Sequence, residues 1–515
     1  MKTNKTVRAL VGAGLCGAGL WLALPMPYQS HTFRIDAGGC RLVTDIVEPQ
    51  GQSVGDTPQG YVVLLHGLSA NKRIMSYLTN GLASQGLRIF VPDLPGHGRS
   101  EGPFSFERAD QCGENLLREL VARGLVDPER TILAGHSMGG AIALRVGSRE
   151  PVAGVVAISP APMRPIRGLP PETMPYHDFG RLPRHSLVMN GSWEPGNTSE
   201  AAKDLVPSGD ATSEYLLIPH ATHVSILFDA AAMSAAQNWT TSVLHIERRQ
   251  SLPSHRSIAG FLLGLAGILT LAGPFLREIL ENKKQAGPTE SALAISKPRV
   301  FLEFAIIAFG TVGLLHYCIP LRILRLFEGD YLASLLLVLG VVLLALNWNS
   351  VTKLFGTMGT ASEPLRPRYV SVLAAGFAGL LLYALFGAWL ELSFTEAWPT
   401  AARIARFVPF LVAALPAHLA EELLLGPVDP SKKLARLVTA LALRLVVWAA
   451  IVAGIFFLHS GEILPVILVT SFALFCLGQR WAMDVVREVT ASAAAAALFG
   501  AILLAGFCLV VFPTT

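Results

Sequence analysis

The sequence predicts an α/β module built on a doubly wound, mainly parallel sheet, followed by an all-α polytopic membrane region. Three observations predict it. Between about Tyr28 and Arg249, short β-branched runs alternate with helical patterns and Gly/Pro punctuation, the signature of strands separated by crossover helices. One of those strands, Thr131 to Ala134, runs straight into Gly135-His136-Ser137-Met138-Gly139 and then a helical segment. Beyond Ser257 the pattern changes to repeated apolar stretches of membrane-spanning length.

Composition agrees with that division. At 515 residues the chain is too long for one ordinary domain. Only 15% of it is charged and 52% is hydrophobic, and a mean hydropathy of +0.48 places much of it in lipid. The formal net charge of +4 is small and spread out, which argues against nucleic acid as a partner. The six cysteines contain no C-x-x-C pair, so neither a metal knuckle nor a thioredoxin motif is expected. Cys40 and Cys112 lie in the polar part, where a disulfide is chemically allowed if that part is exported.

Three regions follow. Residues 1–27 open with Lys2, Lys5 and Arg8 before an apolar run and read as a signal anchor or transmembrane helix. Residues 28–250 form the α/β module. Residues 251–515 form a membrane region of about eight helices, near 257–276, 300–321, 331–348, 370–391, 403–424, 437–458, 463–479 and 489–511. With a cytoplasmic N-terminus, the inside connections would hold Arg277, Lys283, Lys284, Lys297 and Arg299, then Lys353, Arg366 and Arg368, then Lys432, Lys433 and Arg436, then Arg480 and Arg487. The outside ones are poorer in Lys and Arg, apart from Arg322 and Arg325. The positive-inside rule therefore places the polar module outside the cytoplasm.

Within the module, YVVLLH ending at His66 reads as a buried strand entering a turn, and a helix over Lys72 to Gln85 leads to LRIFVPDLPGHGRSEG. A second helix, about Phe106 to Arg123, precedes the G-x-S-x-G strand. Alone that pattern is weak, but its strand-turn-helix setting projects the Ser137 hydroxyl above the sheet. A serine needs a base, and the base a carboxylate to orient it. The strand His185 to Met189 runs into NGSWE, placing Glu194 in the following loop, with Asp204 and Asp210 as alternatives. The strand Glu214 to Ile218 leads through PHATH to a helix near Ser225, which makes His223 the expected base and His220 its competitor. Oxyanion donors are expected from the backbone N–H of Met138 and of Leu68. His66, Asp93, His97 and His136 read as turn-holding residues.

HG at 66, DLPGHGRSEG from 93, GHSMGG from 135, GSWEP from 191 and IPHATH from 218 together resemble the α/β-hydrolase superfamily, in its monoacylglycerol-lipase and serine-aminopeptidase-like branch. The resemblance covers residues 58–247. It implies ester hydrolysis, less often amide or peptide hydrolysis, through an acyl-enzyme and without a cofactor. Two positions depart from the pattern: the acid is Glu194 where Asp is usual, and only the Pro-rich stretch Pro160 to Arg184 stands where relatives insert a cap. An open cleft suits a small-molecule or lipid-like ester. The rival reading is a membrane transporter or scaffold whose hydrolase fold binds or regulates. In the membrane half, Glu303, His316, His418, Glu421, Glu422, Arg444 and His459 stand in or beside apolar stretches, where ionisable groups mark function or pair with each other. Glu421-Glu422 with His459 also resembles in part the CAAX-protease-like family, though Gly426 and Ile455 replace the arginine and phenylalanine of its motifs.

Overall fold

The computed structural model describes residues 2–24, 29–48, 57–162, 182–206, 212–249, 251–281, 297–318, 322–348, 351–352 and 366–515. The chain forms two compact units, described separately. One comprises Leu20–Phe261, Leu390–Ala397 and Pro513–Thr515; the other comprises Met1–Gly19, Leu262–Trp389 and Trp398–Phe512.

The first unit is an α/β-hydrolase fold. Its sheet has the order β1-β2-β4-β3-β5-β6-β7-β8, with β1 Gln29–Ala37, β2 Cys40–Glu48, β3 Gly60–Leu65, β4 Leu87–Pro92, β5 Thr131–His136, β6 Gly154–Ile158, β7 Ser186–Gly191 and β8 Glu214–Ile218. From β4 to β8 every neighbouring pair is parallel, whereas β1 and β2 form an antiparallel hairpin at one edge. Strands β4 to β7 are buried at every residue, as a sheet covered on both faces requires. Helix α1 Lys2–Ala23 precedes the strands, and α2 Ser76–Ala83, α3 Phe106–Ala122, α4 Met138–Gly147, α5 Gly196–Lys203 and α6 Ala230–Val243 connect or follow them. The helix expected near Ser225 begins there as a short 3-10 helix, Ser225–Phe228, and continues as α6 from Ala230, where Asp229 accepts from the N–H groups of Ala231 and Ala232 and fixes the N-cap.

The two residues whose pairing sequence left open are bonded. Cys40 opens β2 and Cys112 lies on α3, with their Cα atoms 5.7 Å apart and a sequence separation of 72. The link ties the edge hairpin to a crossover helix, and a loop of that length removes about 4 kcal/mol of unfolded-chain freedom in the entropy model.

Two short pieces from the C-terminal half are integral to this unit. Leu390–Ala397 is one, and Pro513–Thr515 is the other. Thr514 accepts from the Phe104 N–H at 2.7 Å and donates its own N–H to the Gly96 carbonyl at 3.0 Å, adding backbone pairing to the loop between β4 and α3.

Among the described residues, eight helices of the chain are long and apolar enough to cross a membrane. They are Thr6–Ala23, Arg256–Leu280, Pro298–Tyr317, Gly329–Leu346, Tyr369–Ser393, Ala401–Leu425, Pro430–Leu458 and Ala493–Val511. The run expected to span near 463–479 differs. It breaks into a short helix, Leu464–Ile467, and the helix Val469–Thr490, whose second half carries Arg480, Asp484, Arg487 and Glu488. That charge load removes it from the set, so seven such helices follow the first rather than about eight.

Those charges are neutralised inside the bundle. Glu421 is paired with Arg444 at 3.0 Å and Arg480 at 3.5 Å, and Glu422 with Arg480 at 2.5 Å and Arg436 at 2.8 Å. Asp484 takes Arg480 and Arg436 at 2.7 and 2.8 Å. Buried charges without partners would cost several kcal/mol each, about 3–5 kcal/mol on removing one member of a pair.

Changing Cys40 and Cys112 together to serine is expected to lower the stability of the hydrolase unit by about 2–4 kcal/mol. Urea titration of the detergent-solubilised protein, followed by the near-ultraviolet circular dichroism of this unit, checks it; an unchanged midpoint would contradict the expectation.

Candidate active site

The site is built on the C-terminal ends of β3, β5, β7 and β8. Strand β5 ends at His136, and Ser137 turns with φ 53° and ψ −118° before α4 begins at Met138. A non-glycine residue there is strained, at a cost of about 1–3 kcal/mol. The flanking glycines permit the turn through close approach. A Cβ on Gly135 would stand 2.3 Å from the Gly139 carbonyl, and one on Gly139 only 2.2 Å from the Leu65 carbonyl oxygen. Larger residues at either position would push α4 off the sheet.

Strand β7 ends in Asn190-Gly191, and Glu194 lies three residues beyond, its side chain 2% exposed. After β8 comes the loop bearing His223, whose side chain is 34% exposed, half open as a residue facing a cleft would be. The structure brings the three together. His223 Nε2 lies 3.0 Å from Ser137 Oγ, and its Nδ1 lies 3.4 Å from Glu194 Oε2. The competitors are elsewhere: His220 is exposed with left-handed φ of 59° and packs against Trp193, Asp204 caps α5, and Asp210 lies outside the described residues.

Sequence reasoning missed the groups that hold Glu194. The Ser159 hydroxyl, at the end of β6, donates to Oε1 at 2.5 Å, and the Gly191 N–H does so at 2.7 Å. Asn190 Nδ2 donates to Oε2 at 3.1 Å. Burial works to raise the Glu194 pKa, but hydrogen bonds from His223, Ser159 and Gly191 outweigh it and hold the carboxyl at about 2. The residue is thus a carboxylate at any working pH. Only the positive φ of Ser159, 43°, marks it as unusual, and that is invisible in sequence.

His136 stands beside the pair without joining it. Its Nε2 hydrogen bonds to the His223 carbonyl at 2.7 Å, and the two rings lie 4.8 Å apart. Burial, with His223 adding to it, pushes the His136 pKa down to about 3. This ring stays neutral and donates to the carbonyl that positions His223. His66 is likewise pushed down by burial and accepts from the Leu94 N–H at 2.9 Å.

The turn after β3 approaches Ser137 closely, since a Cβ on Gly67 would lie 3.1 Å from the Ser137 Cβ. Around Leu68 the neighbouring N–H groups are committed elsewhere. Ser69 donates to His97 Nε2 at 3.2 Å and Ala70 to the Gly67 carbonyl at 3.2 Å. Met138 is the first residue of α4, where backbone N–H groups have no partner within the helix. The connection Pro160 to Arg184, read as lacking a cap, lies mostly in residues 163–181, outside the described residues.

Residues 62–267 match the sequence model of the alpha/beta hydrolase family. This segment is an alpha/beta hydrolase domain. Among curated proteins, the domain is 33% identical over 102 residues to the pimeloyl-[acyl-carrier protein] methyl ester esterase of Nitrosospira multiformis, covering 19% of this chain and 36% of that protein. It is 32% identical over 125 residues to the monoacylglycerol lipase of Mycolicibacterium smegmatis, covering 24% and 42%. It is 30% identical over 143 residues to the human monoglyceride lipase, covering 26% and 44%. The chain thus spans less than half the length of these relatives. The hydrolase domain is esterase/lipase-like at this level of similarity.

No group of three or more His, Cys, Asp or Glu is placed to hold a metal ion among the described residues. The partial CAAX-protease-like pattern is not assembled either. Glu421 and Glu422 are bound by arginines, and His459 is an exposed C-cap at the end of the helix Lys433–Leu458, fifteen residues and about 22 Å along it from Arg444.

A carboxylate whose pKa is depressed stabilises the fold above its ordinary value of 4.5, and that contribution is lost as pH falls through it toward about 2. Ser159→Ala is therefore expected to lower the melting temperature at pH 7, by the equivalent of about 1–3 kcal/mol for a hydrogen bond to a charged group. The difference from the unmodified protein should shrink between pH 4.5 and 2. Melting curves of both proteins across that range check the sign; a constant gap would contradict it.

Proposed function

We propose that this protein is a membrane-bound serine hydrolase that cleaves a carboxylic ester through a Ser137–Glu194–His223 triad and an acyl-enzyme. The observation that carries the reading is the pair of contacts on one imidazole, Ser137 Oγ at 3.0 Å on Nε2 and Glu194 on Nδ1. In it, His223 Nε2 takes the Ser137 proton as Oγ attacks the ester carbonyl, and Glu194 stabilises the imidazolium. The tetrahedral oxygen is held by the N–H groups of Leu68 and Met138, an electrostatic contribution worth roughly 10²–10³ in rate per donor. His223 then protonates the leaving alkoxide. Water, deprotonated by the same imidazole, attacks the acyl-Ser137 ester and releases the acid. No cofactor is needed for either half.

The esterase and lipase relatives support ester chemistry. Lipid-like esters are favoured by the residues adjoining the triad. Trp193, next to Glu194 in the chain, is 66% exposed and Val224, next to His223, is 52% exposed, and such exposed apolar side chains suit an acyl or alkyl chain. The address is the extracytoplasmic face of a membrane. The Cys40–Cys112 bond, which needs an oxidising compartment to persist, supports this address.

Ser137→Ala in the full chain is expected to abolish hydrolysis of a short-chain p-nitrophenyl ester and labelling by a fluorophosphonate probe. Glu194→Gln should lower kcat by at least about 10³-fold with little change in KM, since the imidazole loses its orienting charge. Hydrolysis surviving in folded Ser137→Ala protein would sink the proposal and favour a transporter or scaffold with a binding hydrolase fold.

A further inference from the structure

The turn that carries Leu68 continues into Asn71 and Lys72, and both residues are held by a segment remote in sequence. Asn71 Oδ1 accepts from the Arg73 N–H at 3.1 Å, capping the short helix Lys72–Met75, while its Nδ2 donates to the Thr395 hydroxyl at 2.7 Å. Lys72 donates its backbone N–H to Asp93 Oδ1 at 2.9 Å and its ammonium to Asp93 Oδ2 at 2.8 Å. The same ammonium is also paired with Glu396. Side-chain exposures of 2% for Lys72, 0% for Asp93 and 5% for Glu396 make this a dry ionic knot.

Asp93 carries the connection onward. Its Oδ2 accepts from the Arg99 N–H at 3.0 Å, which closes the turn containing His97, and His97 Nε2 accepts from the Ser69 N–H at 3.2 Å. Arg99 in turn pairs with Glu391. The turn over Gly67–Ser69 is thus gripped directly through Asn71 and Lys72 and indirectly through Asp93 and His97. Thr395, Glu396 and Glu391 belong to Leu390–Ala397, the stretch of the C-terminal half that is part of the hydrolase unit.

Rigid placement of an oxyanion donor matters because the donor must meet the tetrahedral oxygen, and a shift of about 1 Å forfeits much of its contribution. A grip from outside the loop, made of the Asn71–Thr395 hydrogen bond, a longer one from the Glu396 N–H to Asn71 Oδ1 at 3.5 Å and one buried ion pair, is suited to that task. We infer that Thr395 and Glu396 are positioning residues for the oxyanion-hole turn, so that the segment following the apolar helix Arg366–Ser393 sets the alignment of the Leu68 N–H. The inference rests on the serine-hydrolase reading above.

The test uses the full chain in detergent, with p-nitrophenyl butyrate as substrate and an alkyl trifluoromethyl ketone as the probe that forms a tetrahedral adduct on the serine. Thr395→Val removes the acceptor for Asn71 at nearly constant shape, and Glu396→Ala removes one partner of Lys72 while Asp93 remains. Each is expected to lower kcat by about 10-fold with KM within about twofold, and to weaken ketone inhibition by the same factor. Thr395→Ser and Glu396→Gln keep an acceptor in place and should stay within about twofold of the unmodified enzyme. A hydrolase unit that was merely stabilised by this segment would show lower melting temperatures with kcat and ketone affinity unchanged at low temperature, and that result overturns the inference. So does a fall in kcat that only follows a fall in the folded fraction. Wild-type activity that depends on Ser137, with both variants unaffected, overturns this inference alone; no Ser137-dependent hydrolysis and no fluorophosphonate labelling in the unmodified chain overturns the function and this inference with it.

Discussion

Everything at the centre of the hydrolase domain depends on how closely α4 approaches the sheet behind Ser137. The Gly139 α-carbon is so near the Leu65 carbonyl that no side chain fits between them, and the Ser137 backbone accepts a left-handed conformation as the consequence. Sheet burial supplies the force, since the parallel strands β4 to β7 are covered on both faces and bury apolar surface worth about 25 cal/mol per Å². That excess is what offsets a strained residue at the strand end. The serine hydroxyl is left on the rim of the sheet, where the loops after β7 and β8 also emerge.

A second tier of polar contacts fixes those loops. Glu194 is anchored from three directions by Ser159, Asn190 and Gly191, and the His223 backbone is held by His136. A glutamate reaches further than an aspartate and has one more rotatable bond, so it needs more restraint to present a single oxygen to the imidazole. The three donors provide it. The longer side chain of Glu194 is accommodated by these surroundings.

The membrane-type helices solve a different problem with the same chemistry. Charged residues in an apolar bundle are tolerated where each finds a partner, and the cluster of Glu421, Glu422, Asp484, Arg436, Arg444 and Arg480 is organised that way. His418 is satisfied likewise, bonding to the Ala414 carbonyl at 2.9 Å and to Gln479 at 3.1 Å. In this unit the ionisable groups hold helices together.

Local pattern determined a large part of the protein. Alternating strand and helix periodicity exposes the sheet, because a parallel strand must be apolar along its whole length, and hydropathy exposes the long apolar helices, because a span has a minimum length. The places of Ser137, Glu194 and His223 after successive strand ends were legible too, and their side chains meet in the structure. What sequence left undecided needs proximity between distant residues. The bond between Cys40 and Cys112, the Arg444–Glu421 pairing, the hydroxyl of Ser159 on Glu194 and the grip of Thr395 and Glu396 on Asn71 and Lys72 all join positions far apart in the chain. Neither spacing nor residue type specifies such partners; the packing of the folded chain does, since only there does the desolvation of each polar group have to be met by a particular neighbour.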